Sequence, residues 1–396
     1  MFIFTGRTYK FYGGAESLLI NLVRELKTIN KKTGIIGLSD NYAVKILRRE
    51  HIDFVFIDWN NIDLRLISQD DILIIFGYSD DLLKLKKINP KIIFWNIFPD
   101  LLLSLNATKY DKYLTNDKKP FFWRYTKKLI QALQRSNGIY FMDGANTKTI
   151  MNILLPQFEI KYIPIPIPSS KYLYRPHFQG NAINLTYVGR GDEIWKIMPI
   201  KKVLQDITNL KTVKKINIHI VSQITNLFSQ HLAAFESANL NIFYHDDILG
   251  DKLRYFLIKN SNIHFAMGTS ALEGAVLGIP TVLLDYSYAE FPINYKYRWI
   301  YETEDYSLGY NINYHYPIGL YQMEDIVSSI CNDNERSLIS RKCYEYVNSK
   351  HSLGNTVQIL LDIDSNAKLR DFLKYCKQDW FIRKAFHAIS KITSKF

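Results

Sequence analysis

Short apolar runs recur along this chain, each set off by a stretch with helical patterning, and that rhythm restricts the fold more than any other feature. Phe2-Ile3-Phe4, Ile35-Ile36-Gly37-Leu38, Asp53 to Asp58, Ile72 to Phe76 and Ile92 to Trp95 read as strands. A strand with one wet face alternates polar and apolar residues. Strands covered on both faces do not, and they belong to parallel sheets flanked by helices. Ala15 to Lys27, with Leu18, Leu19, Leu22, Val23 and Leu26 on one face, supplies the helix of the first βαβ unit.

The segment Ile163-Pro164-Ile165-Pro166-Ile167-Pro168-Ser169-Ser170 breaks the rhythm. Alternating prolines fit neither a helix nor a central strand, so the segment is expected to be an extended linker. Beyond it the pattern restarts. Leu185 to Val188, Ile216 to Val221, Asn241 to Tyr244, Ile263 to Ala266 and Thr281 to Leu284 read as strands, with helices over Pro199 to Asp206, Lys252 to Lys259 and Ala271 to Leu277. A chain of 396 residues exceeds one ordinary core. The expected architecture is α/β, with two Rossmann-like domains over residues 1–170 and 171–365 and a basic amphipathic tail over 366–396. No sequence repeat links the halves.

The three cysteines, Cys331, Cys343 and Cys376, lack Cys-x-x-Cys spacing and predict a reducing compartment with no disulfide framework. The N-terminus has no signal-peptide pattern, and no run approaches the ~20 apolar residues of a membrane span. A formal charge of +12 favours an anionic partner: nucleic acid, a phosphorylated substrate or an acidic membrane surface.

Three places could bind such a ligand. In Met267-Gly268-Thr269-Ser270-Ala271-Leu272-Glu273, a strand ends, a small-residue turn follows and a helix begins. Helix-start N–H groups favour phosphate, although Ser270 and Glu273 also stand at capping-box spacing. Gly13 and Gly14 permit a tight strand-to-helix turn, with or without a ligand. Arg190 can fork onto a phosphate and Lys196 can add a point charge, unless both are solvated surface cations.

These elements resemble those of GT-B glycosyltransferases, two Rossmann-like domains facing a central cleft. Leu272-Glu273-Gly274-Ala275-Val276-Leu277-Gly278-Ile279-Pro280-Thr281-Val282 is similar to the family's L-E-A-(x)3-G-x-P-V element. Tyr12-Gly13-Gly14-Ala15-Glu16 resembles its Gly-Gly-Ala-Glu turn. Tyr162 to Ile167 resembles its V-I-P-N-P segment, and Tyr187-Val188-Gly189-Arg190 with Lys196 resembles V-G-R-(x)n-K. The resemblance implies that Glu273 holds the donor ribose and that Gly268, Thr269 and Ser270 hold its pyrophosphate. It implies that Arg190 and Lys196 neutralise the leaving diphosphate, and that Gly13 and Gly14 lie on the donor. In the family's retaining branch a second glutamate lies eight residues before the ribose-binding one; Phe265 stands there in this chain.

Asn96, after the fifth strand, stands where the fold often places an acceptor-side histidine. It can bond a sugar hydroxyl or cap its own loop. The turn His245-Asp246-Asp247-Ile248 falls where the fold seats the nucleotide base, which makes Asp246 a donor-side candidate. The nine histidines show no metal-binding spacing. Asp362-Ile363-Asp364 mimics a metal-binding Asp-x-Asp but follows a helical stretch, so it reads as a helix exit. No metal and no cofactor are expected.

Residues 118–135 carry six cations, Lys118, Lys119, Arg124, Lys127, Lys128 and Arg135, among Phe121, Phe122, Trp123 and Tyr125, with no acid. Residues 380–396 are similarly basic and apolar, and either meet a membrane or pack back on the first half. Both have the composition of interfacial helices, and no motif supports nucleic acid. The expected function is sugar transfer, hexosyl with retention, from a nucleotide sugar to a glycan or lipid-linked acceptor on the cytoplasmic membrane face. A nucleotide-sugar 2-epimerase and a non-catalytic scaffolding subunit are the alternatives.

Overall fold

Six parallel strands form the first sheet in the order β3-β2-β1-β4-β5-β6. They are β1 (Phe2–Thr5), β2 (Thr33–Gly37), β3 (Val55–Asp58), β4 (Ile72–Ile75), β5 (Lys91–Asn96) and β6 (Ile139–Phe141). The computed structural model describes residues 1–5, 13–77, 80–98, 101–102, 119–151, 158–170, 182–210, 215–312 and 319–376, with backbone alone at 80–81, 119–125 and 149. The helices of this part are α1 (Gly14–Thr28), α2 (Tyr42–Arg49), α3 (Lys119–Arg135) and α4 (Gly144–Ile150). Phe4 pairs with Ile35 on one side and Ile74 on the other. All three side chains have no solvent exposure, as their apolar runs require.

The chain divides into two compact units, Met1–Ile165 with Thr356–Phe396, and Pro166–Asn355. The division falls inside the proline-alternating segment, where Ile163, Ile165 and Ile167 are buried. Within the first unit, Ile163 N–H donates to Phe141 O at 2.9 Å. Trp95 Nε1 donates to Ile163 O at 2.9 Å.

The second crossing differs from the sequence expectation. The chain returns to the first unit at Thr356 rather than running in the second to residue 365. Residues 366–376, expected in a tail, belong to the first core. Leu369, Phe372, Leu373 and Cys376 recur at helical spacing and are buried there. The Phe94 and Phe372 rings lie 5.4 Å apart. Gly138 admits this segment, since a Cβ there would lie 2.3 Å from Ala367 Cβ. Residues 380–396 lie outside the described residues.

The second sheet has the order β12-β11-β10-β7-β8-β9. Its strands are β7 (Ala182–Val188), β8 (Lys215–Ser222), β9 (Leu240–Asp246), β10 (Ile263–Ala266), β11 (Thr281–Leu283) and β12 (Arg298–Trp299). All pairs are parallel except β11 with β12. The helices are α5 (Ile194–Thr208), α6 (Asn226–Leu232), α7 (Asp251–Asn260), α8 (Thr269–Ala275), α9 (Met323–Cys331) and α10 (Asp333–Lys350), and α11 (Leu353–Asp362) carries the chain from this unit into the first. Asp362 ends α11, as read from sequence.

Pro199 marks one local difference. The sequence suggests that it opens a helix, yet α5 begins at Ile194 and carries Pro199 inside it. A proline there cannot donate to the Trp195 carbonyl, so the first turn lacks one backbone bond. Tyr187 Oη donates to the neighbouring carbonyl, Lys196 O, at 2.6 Å.

Candidate functional site

In the second sheet the chain runs outward from β7 through β8 to β9, then resumes on the other side of β7 with β10 and β11. The order therefore reverses between β7 and β10. In open α/β sheets, ligands bind outside the carboxyl ends of the strands at such a point. Arg190 follows β7 and Gly268 follows β10, so two of the predicted elements flank the reversal.

The turn after β7 is closely packed. A Cβ on Gly189 would lie 2.7 Å from Tyr187 Oη, and one on Gly191 would lie 1.9 Å from Ile224 O. Arg190 leaves this turn with its side chain 44% exposed, 3.7 Å from Asp192 Oδ1 and 3.6 Å from Glu193 Oε2. Both contacts exceed hydrogen-bond length, so the guanidinium is steered but not consumed. Lys196 lies in the first turn of α5, which has no acidic residue. Burial, together with the positive charge of Arg190, lowers its ammonium to about 8. Its Nζ stands 4.1 Å from the Trp195 ring centroid. Two cations stand near the start of α5, where Asp192 and Glu193 offset part of their charge.

At the end of β10, Gly268 has φ +60, in the left-handed region where glycine is favoured. Its N–H does not face a ligand, because it donates to Leu308 O at 2.7 Å. Of the predicted turn, Thr269 and Ser270 open α8, and their N–H groups precede any intrahelical acceptor. The capping-box alternative does not form. Gly268 is the N-cap, with no side-chain cap bond.

Glu273 instead pairs with Arg254, whose Nε donates to Oε2 at 3.0 Å. The two side chains are 18% and 13% exposed. Burial pushes the Glu273 carboxyl up, against the pull of Arg254. Beneath the helix, His264 lies with Nδ1 2.9 Å from Thr186 Oγ1 and Nε2 3.0 Å from Ser270 O. It is fully buried, and burial lowers the imidazole to about 4, so it is neutral. Its ring explains Gly274, which stands where the L-E-A element has alanine: a Cβ there would lie 2.3 Å from His264 Cδ2.

The remaining predicted residues are placed separately. Asp246 ends β9 and is exposed; Asp247 beyond it has φ +53. Gly13, the N-cap of α1, has φ −151, which any residue adopts. Space is what favours glycine at this position, since a Cβ would approach Glu16 Oε2 to 3.1 Å. Gly14 opens α1 and is exposed, while Tyr12 lies outside the described residues. Asn96 ends β5 with no exposure; among the described residues its Nδ2 and Oδ1 have no hydrogen-bond partner, and its backbone carbonyl accepts from Asn146 Nδ2 at 3.0 Å. The loop-capping alternative for Asn96 is therefore not realised.

No protein-family model matches the chain, and no curated protein sequence matches it. Similarity lies in structure. Anabaena Alr3699/HepE in complex with UDP and glucose aligns with a TM-score of 0.58 at 10% identity, covering 91% of this chain and 98% of that one. The OtsA apo structure aligns at 0.54 and 11% identity, covering 92% and 99%. The N-terminal domain of Candida albicans trehalose-6-phosphate phosphatase aligns at 0.51 and 11%, covering 91% and 96%. The fold is GT-B. Within the GT-B frame the β7–β10 reversal belongs to the C-terminal half, where the sequence resemblance puts the donor.

Arg254 is the residue that sequence reading missed. It lies 19 residues before Glu273, and only the burial of an acid signals the need for a cation. Trp195 also escaped notice; its ring stands 5.3 Å from that of Tyr286, which follows β11. Among the described residues, no group of three or more His, Cys, Asp or Glu could hold a metal, and no helix is long and apolar enough to cross a membrane.

Proposed function

We propose that this protein is a glycosyltransferase that moves a hexosyl group, with retention, from a nucleotide sugar to a glycan or lipid-linked acceptor at the cytoplasmic membrane face. The observation that carries the reading is the place of two elements on either side of the β7–β10 reversal: Arg190 and Lys196 follow β7, and Thr269 to Glu273 open the helix that follows β10. In the proposed reaction an acceptor hydroxyl oxygen bonds to the anomeric carbon and the bond from that carbon to the β-phosphate oxygen breaks. The nucleoside diphosphate leaves and the hydroxyl proton is released. Negative charge grows on the leaving phosphate, where Arg190, Lys196 and the start of α8 stabilise it. Glu273 orients the ribose, and Asp246 borders the base. Such a site requires neither metal nor cofactor.

On the acceptor side, Asn96 offers an amide whose donors and acceptor are unmet among the described residues, the state of a group awaiting a polar partner. The membrane reading rests on α3, where Lys127, Lys128 and Arg135 are exposed while Leu129, Ile130 and Leu133 face the core. Residue 118 and the side chains of 119–125 lie outside the described residues. Incubation of the purified protein with UDP-, GDP-, CMP- and TDP-sugars, with and without membrane extract, tests the proposal. Transfer that requires both donor and extract is the expected result. Conversion of a nucleotide sugar without acceptor would indicate epimerisation, and no turnover with any donor would indicate a scaffold.

A further inference from the structure

We propose that Arg254 is the positioning residue of the donor site, holding the Glu273 carboxylate so that one oxygen faces the ribose. The inference rests on the reading of Glu273 as the ribose-binding group.

The pairing is one-sided. Arg254 Nε meets Oε2 at 3.0 Å, and among the described residues Oε1 takes no hydrogen bond. A fork–fork pair would have occupied both carboxylate oxygens. Here the guanidinium is turned the other way. Nη2 points to Pro168 O at 3.4 Å and Nη1 to Ser169 O at 3.5 Å. These two carbonyls belong to the end of the proline-alternating segment. Arg254 is thus anchored at one end by the chain and at the other by Glu273, and it leaves Oε1 as the open acceptor.

The charges nearby make this anchor necessary. Burial pushes Glu273 toward the protonated form, Arg254 opposes it, and Asp251, on the same helix α7 as Arg254, adds a smaller push. His264 on β10 is neutral and contributes no cation. A protonated Glu273 would be a weaker acceptor for the ribose hydroxyls than the carboxylate, because bonds to a charged group are the stronger kind.

The test compares nucleotides with and without the ribose hydroxyls. UDP, GDP and ADP are titrated into the full-length protein, and the tightest is carried forward with its 2′,3′-dideoxy analogue. The parent is expected to prefer the ribonucleotide by roughly tenfold or more, the value of a charge-assisted hydrogen bond. Arg254→Gln should bring that preference to near unity while leaving the affinity for the dideoxy analogue within about twofold of the parent. Arg254→Lys, which keeps the charge and loses the fork, should retain part of the preference and serves if Arg254→Gln does not fold. An unchanged preference in the Arg254 variants overturns the inference, and so does an equal loss for both nucleotides, the mark of a structural role. Glu273→Gln separates the two levels. If it also keeps the parent preference, or if the parent shows none, the ribose reading of Glu273 has failed and the Arg254 inference falls with it.

Discussion

Tyr187 donates from its hydroxyl to the carbonyl of Lys196 at 2.6 Å, and this bond fixes the first turn of α5 to the end of β7. Tyr187 is 1% exposed and lies edge-on to Phe228, with ring centroids 5.7 Å apart. Removal of its hydroxyl should therefore loosen the two cations of the donor site together. Tyr187→Phe is expected to cost about 1 kcal/mol of stability and to weaken a nucleoside diphosphate more than the nucleoside. Urea unfolding and calorimetric titration measure the two effects. Equal affinity losses for both ligands would detach Tyr187 from the phosphate end.

Lys196 gives a proton signature. Its ammonium titrates at about 8 in the free protein, because burial and Arg190 disfavour the charge. A diphosphate beside it would favour the charge and raise that value. At pH 8, where the free group is about half protonated, binding should take up roughly half a proton. Binding heats in buffers of different ionisation enthalpy report this directly, and the dependence should vanish in Lys196→Met. Buffer-independent heats in the parent would place Lys196 away from the phosphates.

His264 makes stability depend on pH. The folded imidazole titrates at about 4, below its ordinary value near 6.5. Between those values the unfolded chain binds the proton and the folded protein does not, so stability falls as pH drops from 6.5 toward 4. The loss from this residue is on the order of 3 kcal/mol. His219, which burial also lowers to about 4, adds in the same direction. Urea unfolding at pH 7.5, 5.5 and 4.5 should show a shallower decline in His264→Gln than in the parent. Parallel declines would mean that His264 is protonated in the folded state.

The exposed face of α3 predicts an electrostatic attachment. Its buried residues Leu129, Ile130 and Leu133 serve the core, so its described exposed charges, Lys127, Lys128 and Arg135, are cations rather than an apolar wedge. Each is worth about 1 kcal/mol near an anionic surface. Binding to anionic vesicles should weaken as salt rises and be lost when Lys118, Lys119, Lys127 and Lys128 become Glu, with nucleotide affinity intact. Equal co-sedimentation of the quadruple variant and the parent would exclude this face.

What could be read from sequence was what neighbours in the chain determine. Runs such as Ile72 to Ile75 are apolar on both faces because parallel strands are covered on both; Gly268 and Arg190 stand just past strand ends, and Glu273 in the helix after one, positions that local patterning reveals. Contacts between distant residues could not be read. Ser365 Oγ donates to Ile92 O across 273 positions, and that contact helps return the chain to the first unit before the expected boundary. The Gly268 N–H looked free for phosphate because Leu308, which occupies it, lies far along the chain. Asn96 read as a loop residue, yet it is fully buried at the end of β5. For Glu273 the capping box stood as the alternative to ribose binding, because Ser270 lies three residues before it. The box fails because the helix begins two positions earlier, at Thr269, with Gly268 as its cap.

The central claim, a donor held between Arg190 and Glu273, is tested most directly by titrating a nucleoside diphosphate and the matching nucleoside into the parent, Arg190→Ala and Glu273→Ala. Arg190→Ala should weaken the diphosphate by roughly tenfold or more and leave the nucleoside nearly unchanged, because the lost contact is to phosphate. Glu273→Ala should weaken both ligands, because both carry the ribose. Folded variants that bind both ligands as tightly as the parent would contradict the account.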